Sequence, residues 1–372
     1  MQPLANLRVV DFTTLLPGPL ATLILAEAGA DVVKIERPGS GDEMRRYEPR
    51  FGTASVNFAL LNRGKRSIAI DLKDESAKAR LMPLLTRADV VVEQFRPGVM
   101  ERLGLGYDAL KAINPGLVYC AITGHGADGP RAQDAGHDLN YLAETGMLMM
   151  SAGGGGAPVV PPALIADIGG GAYPAVINIL LALQQRAASG KGCRLDVSMT
   201  DNLFPFMYWA MGRGLVEGHW PQPGAEMLTG GSPRYQVYRT ADDRFVAAAP
   251  LEDRFWRNFC DVIGLAPALR EDAGNPRATI AAVAALIAAH PAAHWERAFA
   301  GSDVCCAICA SLEEAARDPH FRARGLFDWG LVADGRRIAA MPMPLAPGFR
   351  EVPGDRSYPA LGADNGLLAN EG

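Results

Sequence analysis

Two short apolar runs, residues 7–12 and 31–36, stand on either side of a helix-length segment, 19–28, that stops at Gly29. Strand, helix and strand with only a few residues between them is the signature of a βαβ unit, the short way to join two parallel strands. The pattern returns with a strand at 67–72, a helix over 75–86, a strand at 88–94 and another at 117–122. This alternation predicts an α/β fold with a doubly wound, mostly parallel, Rossmann-like sheet. In such a sheet ligands bind outside the carboxyl ends of the strands.

The rhythm changes after residue 150. A Gly/Pro loop at 151–162 leads to a long apolar helix at 170–186, a strand at 194–198 and a helix through Met211. Residues 212–233 carry Gly, Pro and Trp with little periodicity. Alternating runs at 235–239 and 244–249 around Ala241-Asp242-Asp243 predict a hairpin, and helices follow at 252–263, 277–289 and 312–317. The reading is a large domain over 1–200 completed by 325–372, a linker at 201–227, and a smaller α+β domain at 228–318. With 372 residues the chain is long enough for two cores.

A chain that is 49% hydrophobic and 21% charged belongs with globular proteins rather than disordered ones. Its net charge of −5, without long single-sign blocks, offers no general attraction to nucleic acid or an anionic membrane. The start has no basic segment leading into an apolar one, and no unbroken apolar stretch reaches the roughly 18 residues of a span. The expectation is a cytoplasmic protein with no membrane span. Six cysteines are too few for a disulfide scaffold. Cys306 and Cys309 form a CxxC beside Cys305, but no second pair is near and the closest histidine is His320, so apolar packing is preferred over zinc and no metal site is expected.

Two motifs invite readings that their context refuses. Gly124-His125-Gly126-Ala127-Asp128-Gly129 matches GxGxxG after a strand, but Pro130 follows the third glycine and no helix opens inside the motif. It reads as a tight loop at a sheet edge rather than a dinucleotide site. The glycine run at 153–156 and Ser189-Gly190-Lys191-Gly192 lack the GK[ST] of a phosphate loop and read as connectors.

His137 opens an apolar helix after a loop, in Gly136-His137-Asp138-Leu139-Asn140-Tyr141, where its ring is either structural or turned to a cleft. Asp167 is an acid in an apolar run shortly before Gly169-Gly170-Gly171. It is either a helix cap or a partly desolvated carboxylate of raised pKa beside backbone left bare by glycine.

Over nearly its whole length the chain resembles the class III CoA-transferase superfamily, and within it the α-methylacyl-CoA racemases. The resemblance rests on Val9-Val10-Asp11, on the run from Leu25 to Pro38, on Asn62-Arg63-Gly64-Lys65-Arg66-Ser67, and on Asp71-Leu72-Lys73. It continues through Glu93-Gln94-Phe95-Arg96-Pro97-Gly98-Val99 and Arg102-Leu103-Gly104. Gly136 to Tyr141 is similar to the racemases' GHDINY stretch, which carries one of their acid/base groups and which the transferases generally lack. The resemblance makes Asp167 the second acid/base group, or the nucleophile of a transferase, and Glu252 the carboxylate that partners the histidine.

It further implies CoA as part of the substrate, bound along Arg37, Asn62, Lys65, Leu72, Gln94, Phe95, Arg96, Arg102 and Arg131, with Arg37 and Arg102 foremost. Arg63 and Arg66 are further cationic candidates. No redox or metal cofactor is implied. Met147, Met149, Met150, Met207 and Met211 are candidates for an adaptable acyl surface. Family members form interlinked homodimers, so Glu252 or Asp303 can be supplied in trans. The glycine run at 153–156, the Cys305-Cys306 pair and the ending Leu361-Gly362-Ala363-Asp364-Asn365 depart from the family pattern.

The chemistry agrees with that placement. Inverting a carbon beside a thioester carbonyl needs one group to take a proton from one face and another to return one to the opposite face. The leading reading is α-epimerisation of 2-methylacyl-CoA or related thioesters, with backbone donors near Asp167 and Gly169 steadying the enolate. Its rivals are CoA transfer through an Asp167-bound intermediate and a catalytically silent acyl-CoA-binding protein.

Overall fold

The computed structural model describes residues 2–151, 156–341, 343–350 and 353–370, so most of the glycine run at 153–156 lies outside the described residues. The chain divides into two compact units, one of residues 1–145, 162–206 and 322–372, the other of 146–161 and 207–321.

The first unit is built on six strands: β1 (Arg8–Asp11), β2 (Asp31–Glu36), β3 (Arg66–Ala69), β4 (Val90–Glu93), β5 (Val118–Thr123) and β6 (Arg194–Ser198). They pair in the order β3-β2-β1-β4-β5-β6, every pair parallel. Strands covered on both faces need apolar side chains at nearly every position, which is why β4 and β5 read as continuous runs. Helices α1 (Pro17–Glu27) and α2 (Glu75–Thr86) follow the expected segments. α1 starts on a proline, and the chain leaves it through Gly29 at φ 107°, a conformation glycine adopts freely. α2 is capped by Asp74, whose carboxylate accepts from the Ser76 N–H at 2.9 Å. Leu81, Leu84 and Leu85 of α2 bury against Val10, Val33, Ile68, Val91 and Tyr119 on one sheet face.

On the other face α1 packs with α4 (Tyr173–Ser189), and α3 (Asp138–Glu144) packs against the turn that leads into α4. The long apolar helix expected from residue 170 begins at Ala166, as a π-helical turn, Ala166–Ala172, that runs into α4. Together they make 24 residues, the one continuous helix among the described residues long and apolar enough to cross a bilayer. Here Ala175, Val176, Ile179 and Ala182 of α4 are buried within the unit. Gly170 is required in the turn, since a Cβ there would lie 2.5 Å from the Met199 carbonyl oxygen.

Beneath the carboxyl ends lies a wholly buried ionic cluster. Asp11 ends β1 opposite Lys34 of β2. Its carboxylate meets the Lys65 ammonium at 3.2 Å and the Thr22 hydroxyl at 2.6 Å, and also accepts from Thr13. Lys34 donates to the Thr13 carbonyl at 2.6 Å and sits 3.1 Å from Asp42. Burial opposes charge on Asp11, but Lys34, Lys65 and the two hydroxyls outweigh it and hold its carboxyl down to about 2. The Lys65 ammonium, filled by Asp11, Thr22, Asn62 and the Pro19 carbonyl, is lowered to about 8 because burial exceeds the help of Asp11.

The final residues return to the first unit. Gly330–Ala333, Arg336–Ala339 and Asp355–Arg356 form a small sheet. Beyond it, Asp364 exchanges hydrogen bonds with Ser67, and Asn365 accepts from the Ala69 N–H at 2.8 Å. The edge of β3 is thus covered, leaving no bare row of amides for a stray strand.

In the second unit β7 (Gln236–Arg239) and β8 (Phe245–Ala248) form the expected hairpin, and a third strand, β9 (Cys306–Ile308), pairs antiparallel with β8. Helices Asp253–Ile263, Pro276–Ala288 and Ala292–Phe299 bury Trp256, Phe259, Val283, Ile287 and Trp295 against it. The helix expected to end at Met211 runs from Tyr208 to Glu217. Its glycines hide the period, yet Gly214 packs so closely under the Trp220 ring that a Cβ would come within 2.4 Å. Helix Ala292–Phe299, strand β9 and the helices Val99–Arg102 and Tyr107–Ile113 were not foreseen, being short and without a full period.

Asp11→Ala leaves the buried Lys65 ammonium without its carboxylate and should cost about 3–5 kcal/mol, read as a lower urea midpoint. Arg317→Ala, which removes an exposed pair with Glu313, should leave the midpoint unchanged. Equal effects from the two would show that the buried cluster contributes no more than surface charge.

Candidate active site

The strand order reverses between β1 and β4, and two cavities open over the carboxyl ends there, as the switch-point rule requires. The first, about 270 Å³, lies over β1, β4 and β5 and is walled by Leu15 and Pro17, Gln94 to Pro97, Thr123 and Gly124. The second, about 310 Å³, lies over β2 and β3 and is walled by Arg37, Ile70, Asp71, Leu72 and Lys73, with Thr14 from the loop after β1. Phe95 lines both.

His137 and Asp167 both line the first cavity. His137 is the N-cap residue of α3, exposed on the wall, its N–H held by the Asn140 side chain at 3.0 Å. Asp167 sits half-buried in the π-helical turn, the kind of local widening that brings one side chain into a site. What joins them is Asp138. Buried at the first position of α3, it accepts from the Ala166 N–H at 2.6 Å and the Asp167 N–H at 3.0 Å. One carboxylate thereby clamps the histidine's helix to the aspartate's turn. Burial raises Asp138's own pKa, and the two N–H groups oppose it. Burial, with the Asp138 charge adding to it and His137 pulling the other way, pushes Asp167's carboxyl up to about 6.

Tyr141 completes the wall. Its hydroxyl donates to the Gly136 carbonyl at 2.7 Å, and its ring lies so close to Gly124 and Gly136 that a Cβ on either would come within 2.6 Å. Two glycines that looked like loop punctuation are there to admit this ring. The wall also holds Leu15 at φ 62°, a left-handed conformation costly for a branched side chain and typical of functional loops.

The other expected residues separate into distinct environments. Gln94, Phe95 and Arg96 line the first cavity, and Arg37, Leu72 and Phe95 the second. Gln94 is also a strut, donating to the Thr14 carbonyl at 2.7 Å and accepting from the Gly18 N–H at 3.1 Å. Arg102 is exposed beside Gly98 and lines neither cavity. Arg131 pairs at 3.1 Å with Glu144, which also holds His125 at 2.7 Å. Asn62 and Lys65 need correction as ligand contacts, because both side chains are enclosed and bonded to each other in the Asp11 cluster. Arg63 is likewise buried against Glu27, and Arg66 pairs with Asp31.

Of the backbone donors expected near Asp167 and Gly169, the Asp167 N–H is taken by Asp138. Gly169 packs under the Phe206 ring, so its missing Cβ serves packing. Glu252 belongs to the second unit, as the exposed N-cap residue of helix Asp253–Ile263. The five methionines also belong to that unit, while the methionine lining the first cavity is Met199. Sequence reading missed Asp138 and Tyr141. An acid directly after His137 was visible, but a bond to backbone in a distant segment was not.

Residues 4–365 match the family model of CoA-transferase family III. The chain is 36% identical over 368 residues to an alpha-methylacyl-CoA racemase of Mus musculus, covering 96% of this chain and 90% of that one. It is also 36% identical over 334 residues to an acetyl-CoA:oxalate CoA-transferase of Acetobacter aceti, covering 87% and 85%. The fold matches the crystal structure of a CAIB/BAIF family protein from Brucella suis with TM-score 0.82 and 29% identity, covering 100% and 99%.

Asp167 should titrate near pH 6 in carboxyl ¹³C NMR, and Asp138→Asn, which removes the neighbouring charge but keeps an acceptor oxygen, should move that midpoint down. A carboxyl that ionises at about 6 folded against 3.8 unfolded favours the fold at acid pH, and this contribution is lost as pH rises from about 4 to about 6. Asp167→Asn should therefore gain stability over the parent at pH 7 and not at pH 4. A normal Asp167 titration near 4 in both proteins would contradict this site.

Proposed function

The chain belongs to CoA-transferase family III, and from that premise we propose that it inverts the α-carbon of 2-methylacyl-CoA or related 2-substituted acyl-CoA thioesters. The observation that carries the reading is that an imidazole and a carboxylate raised to about 6 line one small cavity at the sheet's switch point. In one direction the Asp167 carboxylate takes the α-proton. The C–H electron pair moves onto the thioester oxygen as an enolate, and the His137 imidazolium returns a proton to the opposite face. For the other enantiomer the roles exchange. An acid raised to about 6 suits both roles near neutrality. Glu252, from the same chain or a partner copy, orients the imidazole in this reading.

The CoA nucleotide occupies the second cavity in this reading, against Arg37 and Leu72, and the pantetheine arm passes Phe95 with Arg96 near the thioester. Guanidinium groups suit phosphate. Arg102 and Arg131, outside the two cavities, are left for peripheral phosphate attraction. The working form is a cytoplasmic homodimer that uses no redox or metal cofactor, since the thioester itself acidifies the α-proton.

A second reading is favoured by the transferase relatives at comparable identity. In it the Asp167 carboxylate attacks the thioester carbonyl and expels CoA thiolate, leaving an acyl–aspartyl anhydride. The thiolate then attacks the aspartyl carbonyl, which gives an aspartyl-CoA thioester and the free acid.

Incubating one enantiomer of a 2-methylacyl-CoA in D₂O without an acceptor separates the two. Epimerisation predicts α-deuteration with loss of optical purity, about 10²–10⁴-fold slower in His137→Ala. The Asp167-as-base direction should lose kcat/KM as pH falls below about 6. Full activity of His137→Ala, or CoA exchange that requires an added carboxylate and passes through a hydroxylamine-sensitive enzyme, would overturn the epimerase.

A further inference from the structure

Glu93 is the last residue of β4, at the point where the chain leaves the sheet for the cavities, and no step of the reaction uses it. It is buried, and its Oε2 accepts the Phe95 N–H at 2.7 Å. Between them Gln94 reaches across to Thr14 and Gly18 and holds the loop that carries Leu15 and Pro17. One carboxylate thus closes the turn that presents Phe95, the residue that lines both cavities, and Gln94, the strut of the first.

A hidden carboxylate in an apolar strand is costly unless it holds something in place. The buried Tyr119 hydroxyl lies beside it and acts on it as a hydrogen-bond donor. Glu101, Arg194 and Tyr119 are the charged and titratable groups that bear on it, and its own charge bears on Cys120.

We propose that Glu93 is a positioning residue for the CoA thioester: by clamping the Phe95 N–H it sets the partition between the nucleotide cavity and the acid/base cavity, and so governs affinity rather than chemistry. This rests on the acyl-CoA reading above and adds a residue to it. Burial, with Glu101 adding to it, pushes the Glu93 carboxyl up to about 7, against the Phe95 N–H, Arg194 and Tyr119. An ionised acceptor holds an N–H more strongly than a neutral one. The clamp therefore tightens as pH rises through about 7 and slackens as it falls.

The test compares wild type and Glu93→Gln, which keeps the shape and an acceptor but no charge. Dissociation constants for CoA itself are measured by calorimetry from pH 6 to 8, beside kcat and KM for α-deuteration. In the wild type CoA affinity should rise across that range. In Glu93→Gln it should be several-fold weaker at pH 8, close to wild type at pH 6 and nearly flat between, with KM following and kcat changed less than about twofold. The Phe95 amide proton should move with a midpoint near 7 in the wild type and stay still in the variant, a readout that needs only the wild type if the variant folds poorly. Equal affinities with equal pH dependence, or a Phe95 amide that does not titrate in the wild type, would overturn the clamp and leave the acyl-CoA reading standing. Failure of the wild type to bind CoA at all would overturn both.

Discussion

The enclosed carboxylate of Asp11, shared between Lys34 and Lys65, is the constraint on which the first unit turns. Removing three charges from water is expensive, and only their mutual attraction and a complete set of hydrogen bonds make it tolerable. Here those bonds come from the first half of α1 through Pro19 and Thr22, from the turn after β1 through Thr13, and from Asn62 ahead of β3. Lys34 also reaches Asp42, whose carboxylate accepts from the Leu15 N–H at 3.2 Å. The cluster thereby defines the loop that walls the first cavity. It reaches the second through Asp42 and Glu36, with Glu36 held by Arg45 and Ser67.

On this base the site is assembled by two further buried acids of different character. Asp138 bonds only backbone, and so fixes geometry: the helix of His137 and the turn of Asp167 cannot separate without exposing two N–H groups. Glu93 does the same for the turn at Phe95. Among the described residues neither meets an ammonium at ion-pair distance as Asp11 meets Lys65, and on Glu93 burial outweighs the pull of Arg194, so both are raised. A carboxyl group is held as an anion in one place and pushed toward its neutral form in another, by its neighbours alone.

That distinction explains which cations could be read and which could not. Arg37 and Arg96 are exposed at strand ends where a ligand is expected, and both line cavities. Lys65 and Arg63 sit in equally basic sequence close by, yet turn inward to Asp11 and Glu27. No local pattern separates these two fates, because each is decided by a carboxylate from a distant part of the chain. Glycine behaves alike: Gly124, Gly136 and Gly170 have the look of loop or substrate-facing residues, and each is instead a place where a ring or a carbonyl needs the room.

The sequence alone was enough to find the βαβ rhythm, the strands of the parallel sheet, the hairpin of the second unit, and His137 and Asp167, which the structure brings to one cavity. Those features are written in local periodicity and local composition, which short-range sterics and burial translate directly into strands and helices. Only the folded chain could decide the strand order, the reversal that opens the cavities, the joining of His137 to Asp167 through Asp138, and the withdrawal of Asn62 and Lys65 from any ligand. Each of these is a contact between segments far apart along the backbone, and such contacts follow from how whole elements pack rather than from any stretch read by itself.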